Sequence, residues 1–402
     1  MLRLFAYGFL SVVLMIYLSQ IGLNETQIGL LFTLTLIGDT IISLWITTNA
    51  DRLGRRRMLI VGAVLMVFAG VLFAITRDFV VLLLAATIGV ISPSGNEVGP
   101  FLSIEQASLS QITPNERRTQ IFAWYNLVGS FATALGALVG GALVQAGQNA
   151  GLTLLGSYRI VVMGYAAIGL ALGLFFAQLS SGIEVSQPGP PGPLPLKTER
   201  RFGLHRSGKV VLKLSALFSL DAFAGGFVLQ SIVAYWFYVR FQVSPAVLGS
   251  IFFGANILAG ISALTAAWVA SKIGLIRTMV FTHIPSNILL ILVPLMPNLP
   301  LAIAMLLLRF SISQMDVPTR QSYTMAVVNA DERSAAAGIT GIARTTGASL
   351  SPIFTGPLLA NAALLNAPFF ISGTIKIVYD LLLYRSFRAL KPPEEKGPPD
   401  SQ

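Results

Sequence analysis

Arg309, Asp316 and Arg320 stand at spacings of seven and four inside an otherwise apolar stretch. On a helix they fall within about 40° of one another. Lipid hydrocarbon expels such a stripe of charge, so it must face protein or a watery cavity. Asp316 and Arg320, four residues apart, either neutralise each other locally or serve a ligand. Arg309 has no local acid, and neither has Arg344. Two unmatched arginines call for salt bridges to Asp39, Glu97 or Asp221, or for an anionic substrate. Asp39 lies among Leu, Ile and Thr, where a carboxyl either takes and releases a proton or braces a neighbouring helix. Asn96 and Glu97 follow the break Ser92-Pro93-Ser94-Gly95, and such breaks are tolerated where backbone lines a cavity. Glu105 is read as the partner of a loop arginine. Asp221, Gln230 and Tyr235 flank Ala224-Gly225-Gly226, which suits a bend. Lys376 and Asp380, again four apart, read as a local pair. Asp39, Glu97 and Asp221 are therefore the proton-coupling candidates. Asn96, Gln230, Tyr235, Arg309, Asp316, Arg320 and Arg344 are the candidates for a substrate cavity.

The elements that must hold these groups are long apolar runs. The chain has 402 residues, 54% apolar and only 11% charged, with a mean hydropathy of +0.74. That is too little charge to cover a soluble surface. The runs recur at bilayer length, about 20 residues. Twelve spans are predicted: 4–22, 26–49, 58–76, 79–111, 119–146, 157–179, 209–239, 246–270, 278–296, 299–327, 334–361 and 366–387. Residues 4–22 lack a persuasive cleavage site and are read as the first span. Basic residues gather in every second loop, beginning with Arg52, Arg55, Arg56 and Arg57. This bias places both termini and the central linker in the cytoplasm of an inner or plasma membrane. It also accounts for the net charge of +10 without nucleic acid. There is no cysteine, and the only histidines are His205 and His283, so neither a disulfide framework nor a metal centre is expected. No phosphate-cradling loop or nucleophile elbow is present, so no cofactor and no enzyme activity are expected.

Residues 180–208 carry five prolines within a polar stretch and read as a tether. It separates an N-terminal bundle, 1–179, from a C-terminal one, 209–388, and a polar tail, 389–402, is expected to be disordered. The halves echo each other. Asn24 to Gly29 aligns with Ser244 to Gly249, and Asp51-Arg52-Leu53-Gly54 with Ser271-Lys272-Ile273-Gly274. Pro114 to Arg117 aligns with Ala330 to Arg333, and Gly136 to Gly140 with Pro352 to Gly356. Two parallel six-span repeats around a midplane site is a transporter architecture.

The loop Asp51, Arg52, Gly54, Arg55 and Arg56, its weak echo after span 8, and the Glu-Arg pairs after spans 4 and 10 resemble the major facilitator superfamily. Thr47 stands where that pattern has its first glycine. Span 5, Gly129 to Gly141, partly resembles the glycine-rich motif of drug-exporting antiporters, with Ala137 in place of proline. Plain close helix packing explains it nearly as well. The resemblance implies an all-α membrane protein of twelve transmembrane helices in two pseudo-symmetric six-helix bundles, with the basic loop as a gate. It also implies a proton-coupled secondary transporter, acting as a monomer on a small anionic or amphipathic solute, with efflux by antiport the favoured direction. An uncoupled facilitator, a proton symporter and a non-transporting receptor or scaffold stand as alternatives.

Overall fold

In a computed structural model of the chain, the described residues are 1–95, 101–113, 115–184 and 204–390. Asn96, Glu97, most of the linker and the tail beyond 390 lie outside them. The regular elements are helices, and most coincide with the predicted spans. The first span is two helices, α1 (Leu2–Ser11) and α2 (Leu14–Gln20), meeting at 46°. Then come α3 (Glu25–Leu53), α4 (Arg55–Ile75), α5 (Phe79–Ile88), α6 (Phe101–Ile112), α7 (Asn115–Asn149) and α8 (Leu154–Ala177). After the linker follow α9 (Gly208–Gly226), α10 (Gln230–Phe241), α11 (Pro245–Ile273) and α12 (Leu275–Leu292). The chain closes with α13 (Leu299–Phe310), α14 (Asp316–Val327), α15 (Arg333–Leu350), α16 (Pro352–Ala360) and α17 (Ala367–Phe387).

Among the described residues, eight helical stretches are long and apolar enough to cross a membrane, nine with the bent α1–α2 pair. The other three predicted spans are each two shorter helices: α5 with α6, α13 with α14, and α15 with α16. The breaks have local causes. Pro352 opens α16, where its missing N–H is no loss to the hydrogen-bond ladder. Pro318 sits in the first turn of α14 for the same reason. Ala224-Gly225-Gly226 close α9, and the helix breaks directly after them, before α10.

The sequence repeat is visible in the backbone. α3 begins with a capping box in which Asn24 and Gln27 hydrogen-bond each other's amides at 2.8 and 3.0 Å. It ends at Gly54, whose φ of 100° only glycine adopts readily. The equivalent Gly274, between α11 and α12, has φ 86°.

The chain forms two compact units. The first comprises Met1–Gly192, Val228–Ile257 and Pro352–Leu365; the second comprises Pro193–Phe227, Leu258–Ser351 and Asn366–Gln402. In the first unit α4 packs on α8, α1 on α7, and α3 on α5 and α16, with α10 against α2. Segments from the C-terminal half thus join this unit through glycine crossings. A Cβ on Gly29 of α3 would lie 2.4 Å from the Pro352 carbonyl oxygen of α16. A Cβ on Gly141 of α7 would lie 2.2 Å from that of Pro245 in α11. The two crossings are mates under the repeat, since Gly29 aligns with Gly249 and Gly140 with Gly356. In span 5, Gly136 and Gly140 likewise lie against the Phe5 and Phe9 carbonyls of α1, which is close helix packing.

In the second unit α15 packs on α9, and α12 lies against α17, α14 and α13. Its apolar core includes Leu214, Phe218, Met279, Tyr323, Tyr379 and Leu383. Large apolar side chains such as Trp45, Leu84, Trp268 and Phe281 are exposed, as lipid contact requires.

Candidate functional site

Burying an ionised side chain is costly unless a partner compensates, so buried charges gather in networks. The second unit holds one. Asp221, 4% exposed on α9, receives Lys376 Nζ of α17 on Oδ1 at 2.6 Å and Arg320 Nη1 of α14 on Oδ2 at 3.2 Å. Arg320 also donates to Asp316 at 2.9 Å, the local pair expected from their spacing. Its guanidinium carbon lies 5.5 Å from the Phe218 ring centre. Behind Asp221 sits His283 of α12. Its Nδ1 is 2.9 and 3.1 Å from the two oxygens of Asp380, and its Nε2 is 3.9 Å from Asp221 Oδ1. Asn287, one turn along, donates to Asp380 Oδ2 at 3.2 Å.

Lys376 and Asp380 therefore do not form the local pair expected of them; each bonds across to another helix. At four residues apart on α17 they project from one face, which places both against α9 and α12. No local signal in the sequence marks the acid partner of His283, 97 positions away.

Arg309 lies in the last turn of α13 with its guanidinium carbon 4.9 Å from the Phe310 ring centre. Its Nε is enclosed without a hydrogen-bond partner. Arg344, half-buried on α15, feels the charges of Arg320, Asp221 and Asp316. Neither arginine makes an ion pair among the described residues.

The remaining candidates lie in the first unit. Half-buried Asp39 accepts a long 3.4 Å hydrogen bond from Ser43. Gln230 donates to Ser11 Oγ at 2.8 Å and accepts from Asn256 at 3.1 Å, while Tyr235 donates to Glu25 at 2.5 Å. Glu105 pairs with Arg3 of α1 at 3.1 Å, and both meet the Tyr125 hydroxyl, while the side chains of the loop arginines Arg117 and Arg118 lie outside the described residues. Asn96 and Glu97 are outside the described residues.

The basic loop is held within its own unit. Arg55 Nε donates to Asp51 at 2.8 Å, and the Arg55 and Arg56 amides donate to the Glu184 carboxylate at 2.7 and 3.2 Å. Glu184 thereby caps the start of α4, where the helix dipole favours an anion. Arg52 is exposed.

A comparable clasp precedes α9. Glu332 accepts from the amides of His205, Arg206 and Ser207, the last two at 2.9 and 3.0 Å. The His205 ring also approaches Glu332 at 3.0 Å and Asp331 at 3.5 Å. Burial works to raise the Glu332 carboxyl, but these amides and the Ser207 hydroxyl outweigh it and hold it well below the usual carboxylate range. A depressed carboxyl contributes stability above its ordinary titration range and loses it as pH falls through the lowered one. Glu332→Gln should therefore speed hydrogen exchange at the 205–207 amides by about tenfold at neutral pH. In strong acid the wild type should converge on the variant. Equal exchange at neutral pH would mean the clasp is not formed.

The sequence model of the Major Facilitator Superfamily matches residues 1–352. The chain is 34% identical over 407 residues to the uncharacterized membrane protein YJR124C of Saccharomyces cerevisiae, covering 95% of this chain and 91% of that protein. It is 27% identical over 138 residues, 34% of each chain, to the quinolone resistance protein NorA of Staphylococcus aureus. Among solved structures, a D-xylose-proton symporter superposes with a TM-score of 0.70 at 16% identity, covering 96% of this chain and 95% of that one. With its apolar helices, its repeat and the match over most of its length, the chain belongs to the Major Facilitator Superfamily, as a multi-pass membrane transporter.

Proposed function

We propose that the transporter carries a small organic anion, coupled to protons, by alternating access in an inner or plasma membrane, with both termini cytoplasmic and the monomer as the working unit. The observation that carries this is the pair of arginines, Arg309 and Arg344, which make no ion pair among the described residues and lie in the field of a buried network. A guanidinium in a low-dielectric site binds carboxylate, sulfonate or phosphate oxygens through charge-assisted hydrogen bonds. The alternating basic loops support the orientation. The test is uptake into proteoliposomes under an imposed pH gradient, with anionic, cationic and neutral solutes compared. A charged hydrogen bond contributes about 1.5–3 kcal/mol, so Arg309→Gln should lower anion flux about ten- to a hundredfold while the protein still purifies folded. Flux confined to cations would sink the anion reading.

A second reading, export of an amphipathic compound by antiport, is favoured by the 138-residue similarity to NorA. The same panel separates them, because antiport releases protons from acid-loaded vesicles as the solute enters.

A further inference from the structure

Charged and polar groups from several helices surround His283 or share its acids. From α17 come Lys376, Tyr379 and Asp380; from α14, Asp316 and Arg320; from α9, Asp221; and from α13, Arg309, which shares the acids Asp221 and Asp316. In the directly bonded cluster, three carboxyl groups (Asp221, Asp316 and Asp380) face two basic side chains, Arg320 and Lys376. One negative charge is left over, and a proton on His283 cancels it. Asp380 is placed for that proton: both its oxygens face Nδ1, and Asn287 steadies one of them. A buried uncompensated charge is costly, so the cluster is poised to take up one proton.

The sign of the coupling follows. Without that proton, the surplus negative charge lies in the field of Arg309 and Arg344, which both sense Asp221 and Asp316. With it, the cluster is neutral and the two arginines are an unbalanced pair of cations. Protonation therefore strengthens anion binding, and by linkage the anion strengthens protonation to the same degree. We propose that the His283–Asp380 pair is the proton-binding site of the transport cycle, and that its proton moves in the same direction as an anion held by Arg309 and Arg344. No bond is made or broken beyond transfer of one proton to the imidazole and its later release. This rests on the anion reading above for its second clause only.

With two histidines in the chain, His205→Asn leaves isotope-labelled His283 as the single imidazole seen by nuclear magnetic resonance in the full-length protein. In lipid nanodiscs its ring nitrogens are expected to take up a proton within about pH 5 to 9. A ring that stays neutral throughout overturns the site. Flux is then measured in proteoliposomes with toluenesulfonate, gluconate and inorganic phosphate; the sulfonate stays ionised, so diffusion of a neutral acid cannot mimic coupling. The wild type should accumulate anion down the proton gradient. His283→Gln should lose that accumulation about tenfold or more and bind the anion more weakly, yet at saturating anion keep exchange of labelled for unlabelled anion, which needs no net proton movement. Unchanged accumulation in His283→Gln, or anion moving opposite to the proton, overturns the proposal. If the wild type moves none of the three anions, the anion reading falls, and the titration alone decides for or against His283.

Discussion

Asp221→Asn is expected to destabilise the second unit by about 3–5 kcal/mol, because it removes one partner from a buried network and keeps the rest. Lys376 and Arg320 would each lose a contact, at 2.6 and 3.2 Å, and among the described residues no other carboxylate is as close to Lys376. Arg320 would retain Asp316, so the larger penalty falls on the lysine. That gives the prediction an internal control. In Asp221→Asn with Lys376→Met, both charges are gone, and replacing a buried pair by apolar packing is often neutral. The double variant should recover much of the loss seen in the single one, a coupling that only residues in contact show. Thermal melts of the detergent-purified protein read both. A single variant melting with the wild type, or a double variant melting below the single, would mean that Asp221 and Lys376 do not compensate each other.

The helical frame was largely legible from the sequence because each span is a long apolar run with its own punctuation. Asn24, Gly54, Pro318 and Pro352 all end or begin helices where their backbone chemistry says they should. The repeat was legible too, and the positive φ at both Gly54 and Gly274 is its structural counterpart. What stayed hidden was partnership. Lys376 and Asp380 satisfy the helix spacing for a local pair, and spacing alone cannot tell that from two bonds to other helices. Burial decides, because α17 presents both residues to α9 and α12 and not to solvent. His283 carried no signal, since its meaning lies in Asp380 and Asp221 on distant stretches of chain. Arg3 was missed for the same reason: it sits at the chain's start, while Glu105 and Tyr125 are far along it. Gln230 and Tyr235 were chosen as polar groups in a span, and they bond Ser11 and Glu25 in the first unit, apart from the acid–base cluster.

Gly29→Leu is expected to abolish most transport by prising apart a helix crossing. α3 and α16 meet so closely that a Cβ at Gly29 would sit 2.4 Å from the Pro352 carbonyl oxygen and 3.0 Å from Gly356 Cα, both backbone atoms with no rotamer to yield. Overpacking of this kind costs about 1–3 kcal/mol, and more where backbone must move. In lipid, helices associate through such close contact of small residues, so the cost falls on this crossing and not on the helices themselves. The first unit is thereby loosened at the end opposite the Gly54 loop, where α3 begins. A conformation held by this contact would lose about ten- to a hundredfold in population. The chain has no cysteine, so Thr355→Cys, which lines the same crossing and is 1% exposed, supplies a single reporter. An impermeant maleimide should leave it unlabelled in the parent and label it readily once Gly29→Leu is added. Gly141→Leu, at the mate of this crossing under the repeat, should act the same way, since its Cβ would meet the Pro245 carbonyl oxygen at 2.2 Å. Wild-type flux with a shielded cysteine in Gly29→Leu, or wild-type flux in Gly141→Leu, would mean that the crossing concerned is slack enough to absorb a side chain, and that the close approach of its glycines has no part in the transport cycle.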